Sequence, residues 1–218
     1  MGVEFFFSET HYMFHKSFLD ILRGTDPLCK YDLSEFDSID FDLLPRTSNG
    51  IIKIAPILLR RIKREQELIE TDKDYYIGKD LSTGTIYMCF RDLMMIDIDI
   101  AKTEIDANDI LSKFEKSDKC FRIFKSTNGY HAFCISERFD YRKPETLDFM
   151  LEYNSDFYYI VYCYIRGFSV RLNKKFFEKT DKLYVDMGLF GNTEVINLEL
   201  NKLVDKHISY ISDTININ

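Results

Sequence analysis

Tryptophan is absent from this sequence, and proline and glycine are scarce, four and nine among 218 residues. That composition excludes a long flexible linker or a Pro/Gly-rich low-complexity tract, and no internal repeat marks the chain. Cysteine is limited to positions 29, 89, 120, 134 and 163, an odd number with no C-x-x-C pair. The pattern excludes a disulfide framework and the ligand spacing of a structural zinc site, and it fits a reducing, intracellular setting. Apolar runs of membrane-spanning length are missing, and the first residues lack the basic-then-apolar layout of a signal peptide. Phe6 stands where a myristoylation signal carries Ser or Thr. No membrane is therefore expected as a partner. Nor is there surplus positive charge: 29 Lys and Arg face 36 Asp and Glu, a formal net charge of −7. Coating nucleic acid by bulk electrostatics is excluded, so any such contact must come from a local basic patch.

What the chain does have is aromatic and aliphatic bulk, with 19 Phe and 14 Tyr and enough length to bury a substantial core. Residues 1–50 read as a short strand at Phe5–Phe7, a helix at His11–Leu22 ended by Gly24, and a solvated acidic loop at Asp32–Asp42. Pro56 is placed to open a helix running to about Glu70, with Leu58, Ile62 and Ile69 as its apolar stripe. Arg60, Arg61, Lys63 and Arg64 then form the densest basic cluster, a solvated face or, alternatively, a phosphate contact. Tyr75–Lys79 and Thr85–Phe90 read as a hairpin around Asp80–Gly84. Asp106–Lys116 reads as a helix, Cys120–Lys125 and Tyr130–Ser136 as strands joined by a turn at Ser126–Gly129. Pro144–Tyr153 and Phe157–Ile165 look helical, the second with a strand as its alternative. Phe168–Leu172 and Leu183–Met187 follow as strands, and Leu198–Ser209 as an amphipathic helix. Mixed helices and hairpins favour an α+β domain over a doubly wound parallel sheet. Residues 1–74 are expected to be an N-terminal part of the same compact unit, and 75–218 its core.

The most informative stretch is Leu93–Ile100, a hydrophobic strand carrying Asp97 and Asp99. Positions i and i+2 of a strand share a face, so the two carboxylates project side by side while Ile96, Ile98 and Ile100 pack behind. Burying an unpaired carboxylate costs several kcal/mol in rough terms, and two adjacent ones also repel. A divalent cation is the usual compensation, hard oxygen donors suiting Mg²⁺ or Mn²⁺; a water-facing polar side of the strand is the plainer alternative. Lys125-Ser-Thr-Asn-Gly-Tyr-His131 is a second candidate, offering backbone and hydroxyl donors for an anion and then an imidazole at the next strand. Arg171, between apolar neighbours, needs an anionic partner, either a phosphate or an internal carboxylate. Asp186 is a lone acid inside the apolar run Leu183–Met187.

Together these segments resemble the archaeo-eukaryotic primase superfamily of primase-polymerases, over about Tyr75 to Gly191. Asp97-Ile-Asp99 is similar to its D-x-D strand end, and Ser126-Thr-Asn-Gly-Tyr-His131 to its Ser-containing turn leading to His. Tyr184-Val-Asp186-Met resembles the later strand that supplies a third acid, and Arg171-Leu-Asn-Lys-Lys175 a basic segment of viral and plasmid members. The resemblance implies a primase-polymerase-like core with an RRM-like antiparallel sheet flanked by helices. It further implies two Mg²⁺ or Mn²⁺ ions held by Asp97, Asp99 and Asp186, with these three as the catalytic acids. Nucleoside triphosphates would be held by Lys125, Ser126 or Thr127, His131, Arg171, Lys174 and Lys175. The cysteines offer no match to the zinc insertion of some members. The implied activity is a nucleotidyltransferase working on a single-stranded DNA template, aided by a separate helicase or replication protein. A virus or mobile element is the expected kind of source, and host cytoplasm or nucleus the expected place. Two rivals are a catalytically degenerate accessory or nucleic-acid-binding subunit of the same fold, and a metal-dependent nuclease.

Overall fold

The structure, a computed structural model, describes residues 66–81, 83–100, 106–141, 143–156, 159–160, 163, 167–173 and 184–215. The readings for Phe5–Phe7, His11–Leu22, Asp32–Asp42 and the cluster at Arg60–Arg64 lie outside these residues, as do Lys174, Lys175 and most of Phe157–Ile165. In chain order come β1 (Gln66–Thr71), β2 (Tyr75–Asp80), β3 (Ile86–Phe90), β4 (Met95–Asp99), α1 (Ala107–Glu115), β5 (Cys120–Lys125) and β6 (Gly129–Cys134). They are followed by α2 (Pro144–Glu152), β7 (Phe168–Arg171), β8 (Val185–Gly191), a 3-10 turn (Thr193–Val195) and α3 (Leu198–Ile215). The mixture is α+β with two antiparallel four-stranded sheets, ordered β1-β2-β3-β7 and β4-β6-β5-β8. Among the described residues, no helix is long and apolar enough to cross a membrane.

The second sheet positions the candidate site. β4 and β5 are parallel to each other with β6 between them, and α1 makes the crossover, a split β-α-β unit. Helix α1 starts where the Asp106 carboxylate accepts the Asn108 N–H, and it buries Ile110 and Phe114, four residues apart. Phe114 meets Phe121 edge-on at 4.8 Å, and Phe149 of α2 lies parallel to Phe121 at 6.3 Å. Pro144 opens α2 at a position where its missing N–H costs nothing. These helices therefore cover the sheet face that carries Ile96, Ile98, Phe121, Ile123, Ala132 and Cys134. On the other face, Phe133 packs edge-on against Phe90 of the first sheet at 6.2 Å and beneath His207 of α3 at 5.4 Å. One hydrophobic core thus runs between both sheets and the helices.

One element differs from expectation. The helix predicted to reach Glu70 is instead a strand from Gln66 onward, paired with β2 and bulged between Leu68 and Glu70. Its two apolar residues are exposed, Leu68 by 60% and Ile69 by 51%, so the supposed helical stripe buries nothing there. What fixes this edge is Glu70, which accepts hydrogen bonds from the hydroxyls of Tyr75 and Tyr210 at 2.5 Å each.

Candidate active site

Asp97 and His131 stand directly opposite each other on β4 and β6, and Asp99 stands opposite Gly129. Paired residues share a face, so both carboxylates and the imidazole leave the sheet on the same side. His131 Nε2 lies 3.2 Å from Asp97 Oδ1, with side chains 13% and 34% exposed. The Asp97 carbonyl accepts the backbone N–H of Asp156 at 2.6 Å, on the edge of β4 turned away from β6. Asp97 and His131 are therefore a non-hydrogen-bonded pair, the kind whose side chains approach more closely. Asp156 itself caps the following turn, its Oδ1 accepting the Tyr159 N–H at 3.1 Å. Burial raises the Tyr159 phenol well above its ordinary value, with neighbouring Cys163, Asp97 and Cys89 acting the same way.

The predicted turn is present. Ser126 N–H donates to the Gly129 carbonyl at 2.8 Å, and the Asn128 carbonyl accepts from Ile100 N–H at 2.9 Å. Ser126 is half-buried and Thr127 exposed. Lys125 is also exposed, but it pairs with Tyr130 and so leaves from the face opposite His131.

Behind the imidazole is a group the sequence reading did not single out. The Tyr184 ring packs on His131 with centroids 4.7 Å apart, and His207 packs on Tyr184 at 5.7 Å. His207 falls on the buried face of α3 with Leu200, Val204 and Ile211, a 4-3-4 spacing that was visible in the sequence as a core stripe. Asp156 also carried a signal, an Asp just before a helical pattern.

Asp186 is not brought to Asp97 and Asp99. It lies on β8, three strands across from β4 and thus about 14 Å away at ordinary strand spacing. Its Oδ2 accepts from Arg122 Nη2 at 2.8 Å and from Nε at 3.1 Å, while Arg122 Nη1 reaches Asp205 of α3 at 2.5 Å. Burial opposes the Arg122 charge, and these two carboxylates outweigh it, raising the guanidinium above its usual value. The lone acid of the Leu183–Met187 run is therefore an ion-pair partner in this structure. Arg171 ends β7 opposite Tyr87, and its carbonyl accepts the Tyr184 hydroxyl at 3.3 Å. Lys174 and Lys175 lie outside the described residues.

As donors, Asp97 and Asp99 suit one hard divalent cation: two half-buried carboxylates on one face of one strand. Among the described residues, no group of three or more His, Cys, Asp or Glu side chains converges to hold a metal ion. No family model matches the chain, and no curated protein or solved structure is significantly similar to it.

Proposed function

We propose that the chain is a primase-polymerase-like nucleotidyltransferase that joins nucleoside triphosphates on a single-stranded DNA template. The observation that carries this reading is the register of β4 and β6, which sets Asp97 against His131 with Asp99 on the same face. Further support comes from the split β-α-β unit, the arrangement an RRM-like sheet requires. Asp97 and Asp99 would hold Mg²⁺ or Mn²⁺, which when bound screens the triphosphate and acidifies the attacking hydroxyl. His131 offers an N–H donor for a phosphate oxygen, and Ser126 or Thr127 a hydroxyl at the turn below it. Arg171, Lys174 and Lys175 would add positive charge from further along the chain. A second ion would require a third acid beside these two, and Asp186 lies three strands away, bonded to Arg122. Buried thiols, not joined in disulfides, at Cys89, Cys120, Cys134 and Cys163 are in keeping with a reducing, intracellular setting.

The bond of Arg122 to Asp186 favours one alternative, a non-catalytic subunit of the same fold that binds nucleic acid or a replication partner. Incubation with single-stranded DNA, Mn²⁺ and labelled nucleoside triphosphates separates the two. The transferase reading expects products longer than two nucleotides, lost in Asp97→Ala and in Asp99→Ala proteins that remain folded. Template binding without any product, under Mn²⁺ and under Mg²⁺, would leave the accessory reading in its place.

A further inference from the structure

Tyr184 joins three parts of the molecule that no motif linked. Its ring packs on the His131 imidazole at 4.7 Å and 49°, and meets His207 at 5.7 Å and 49°. Its hydroxyl donates to the Arg171 carbonyl at 3.3 Å. His207 leans in turn on Phe133, two residues from His131 and on the same face of β6. Polar restraint on His131 is slight by comparison. Nε2 lies 3.2 Å from Asp97 Oδ1, and Nδ1 is buried without a hydrogen-bond partner. One such contact does not hold a ring whose χ2 is broad; packing must supply the rest. His207 suits a wedge behind Tyr184, since burial pushes its imidazole down to about 3, with nearby His131 adding to that and the Arg171 backbone opposing it. At neutral pH it packs as a neutral ring.

We propose that Tyr184 is a positioning residue: its ring fixes the orientation of the His131 imidazole. The kinetic consequence rests on the proposed triphosphate role of His131, whereas the spectroscopic one does not.

Imidazole ¹⁵N spectra of the full chain, recorded without ligand at neutral pH, test it. Wild-type His131 is expected to show a single, unaveraged pattern of ring-nitrogen signals. Tyr184→Phe keeps the ring and should keep that pattern. Tyr184→Leu removes the ring, and should broaden or average these signals as the imidazole exchanges between rotamers. Should Tyr184→Leu fail to fold, Tyr184→Met carries the same comparison. With template, Mn²⁺ and a nucleoside triphosphate, the non-aromatic variant is expected to lose about 10–100-fold in kcat/KM, the scale of a misplaced contact group. Tyr184→Phe should stay within about threefold. His131 shifts unchanged by loss of the ring overturn the proposal, even where incorporation falls. Absent incorporation by the wild type sinks the transferase reading alone, and the spectra still decide the role of Tyr184.

Discussion

A Cβ on Gly129 would stand 1.7 Å from the Ile98 carbonyl oxygen and 3.1 Å from the Ile100 nitrogen. Neither atom can readily yield, because Ile98 belongs to the backbone of β4, whose register with β6 sets Asp97 against His131, and the Ile100 N–H just beyond it donates to the Asn128 carbonyl. Glycine at this position is thus a requirement of close strand approach, with the turn at Ser126–Asn128 leading into it. Gly129→Ala is expected to destabilise the chain by more than about 2 kcal/mol, the range of a backbone clash in a packed element. Urea denaturation of the two proteins measures this, and a loss under about 0.5 kcal/mol would mean that the strands can part without penalty. At this same scale the sequence spoke clearly. D-x-D on an apolar strand and a Gly-containing turn before a His are local patterns, and the side-chain period of two made the shared face of Asp97 and Asp99 legible. Tyr184 was not legible as a neighbour of His131, because a strand aromatic announces burial and not the ring it will touch.

Among the elements, α3 binds the two sheets together. Lys206 lies over the Tyr75 ring at 4.4 Å, Tyr210 donates to Glu70, and Asp205 meets Arg122 on the second sheet. The Glu70 carboxyl is held below its ordinary value by hydrogen bonds from Tyr210 and then Tyr75. Burial first, and the bond to Glu70 second, push the Tyr75 phenol up to about 12, and burial also raises Tyr210. A phenol raised on folding contributes stability that is complete below its unfolded value of 10.0 and lost as pH climbs to about 12. The depressed Glu70 works at the other end: its contribution is present above the ordinary value of 4.5 and fades as pH falls through the lower, folded value. Glu70→Gln is therefore expected to cost about 1 kcal/mol at neutral pH, a part-exposed charged hydrogen bond being screened by water. It should also soften the loss of stability on both limbs. Thermal unfolding followed from pH 3 to 12 checks this; parallel curves for the two proteins would count against the clasp. Element types were mostly readable from period and turn chemistry. β1 was not, since Leu68 and Ile69 are adjacent, exposed and interrupted by a bulge, leaving no alternation to read.

Taken as a whole, the molecule shows what a one-dimensional pattern leaves out. The α+β class followed from the order of helices and hairpins, whereas strand order is a non-local property that no single segment encodes. β8 joins β5 and not β4, and this carries Asp186 to the far edge of the sheet, where Arg122 and Asp205 make it part of a charge network. Arg122 drew no notice in the sequence because its partners lie 64 and 83 residues away. If the chain is the proposed transferase, cation and nucleotide chemistry belongs to the β4–β6 pair and not to that edge. Titration of the ¹⁵N-labelled full chain with substoichiometric Mn²⁺ tests it most directly, since the paramagnetic ion erases the nearest amide signals first. Signals of residues 97–100 and 129–131 are expected to vanish before those of 185–188, and an Asp97→Asn, Asp99→Asn protein to lose this order. Early loss centred on Asp186, or broadening with no centre, would contradict it.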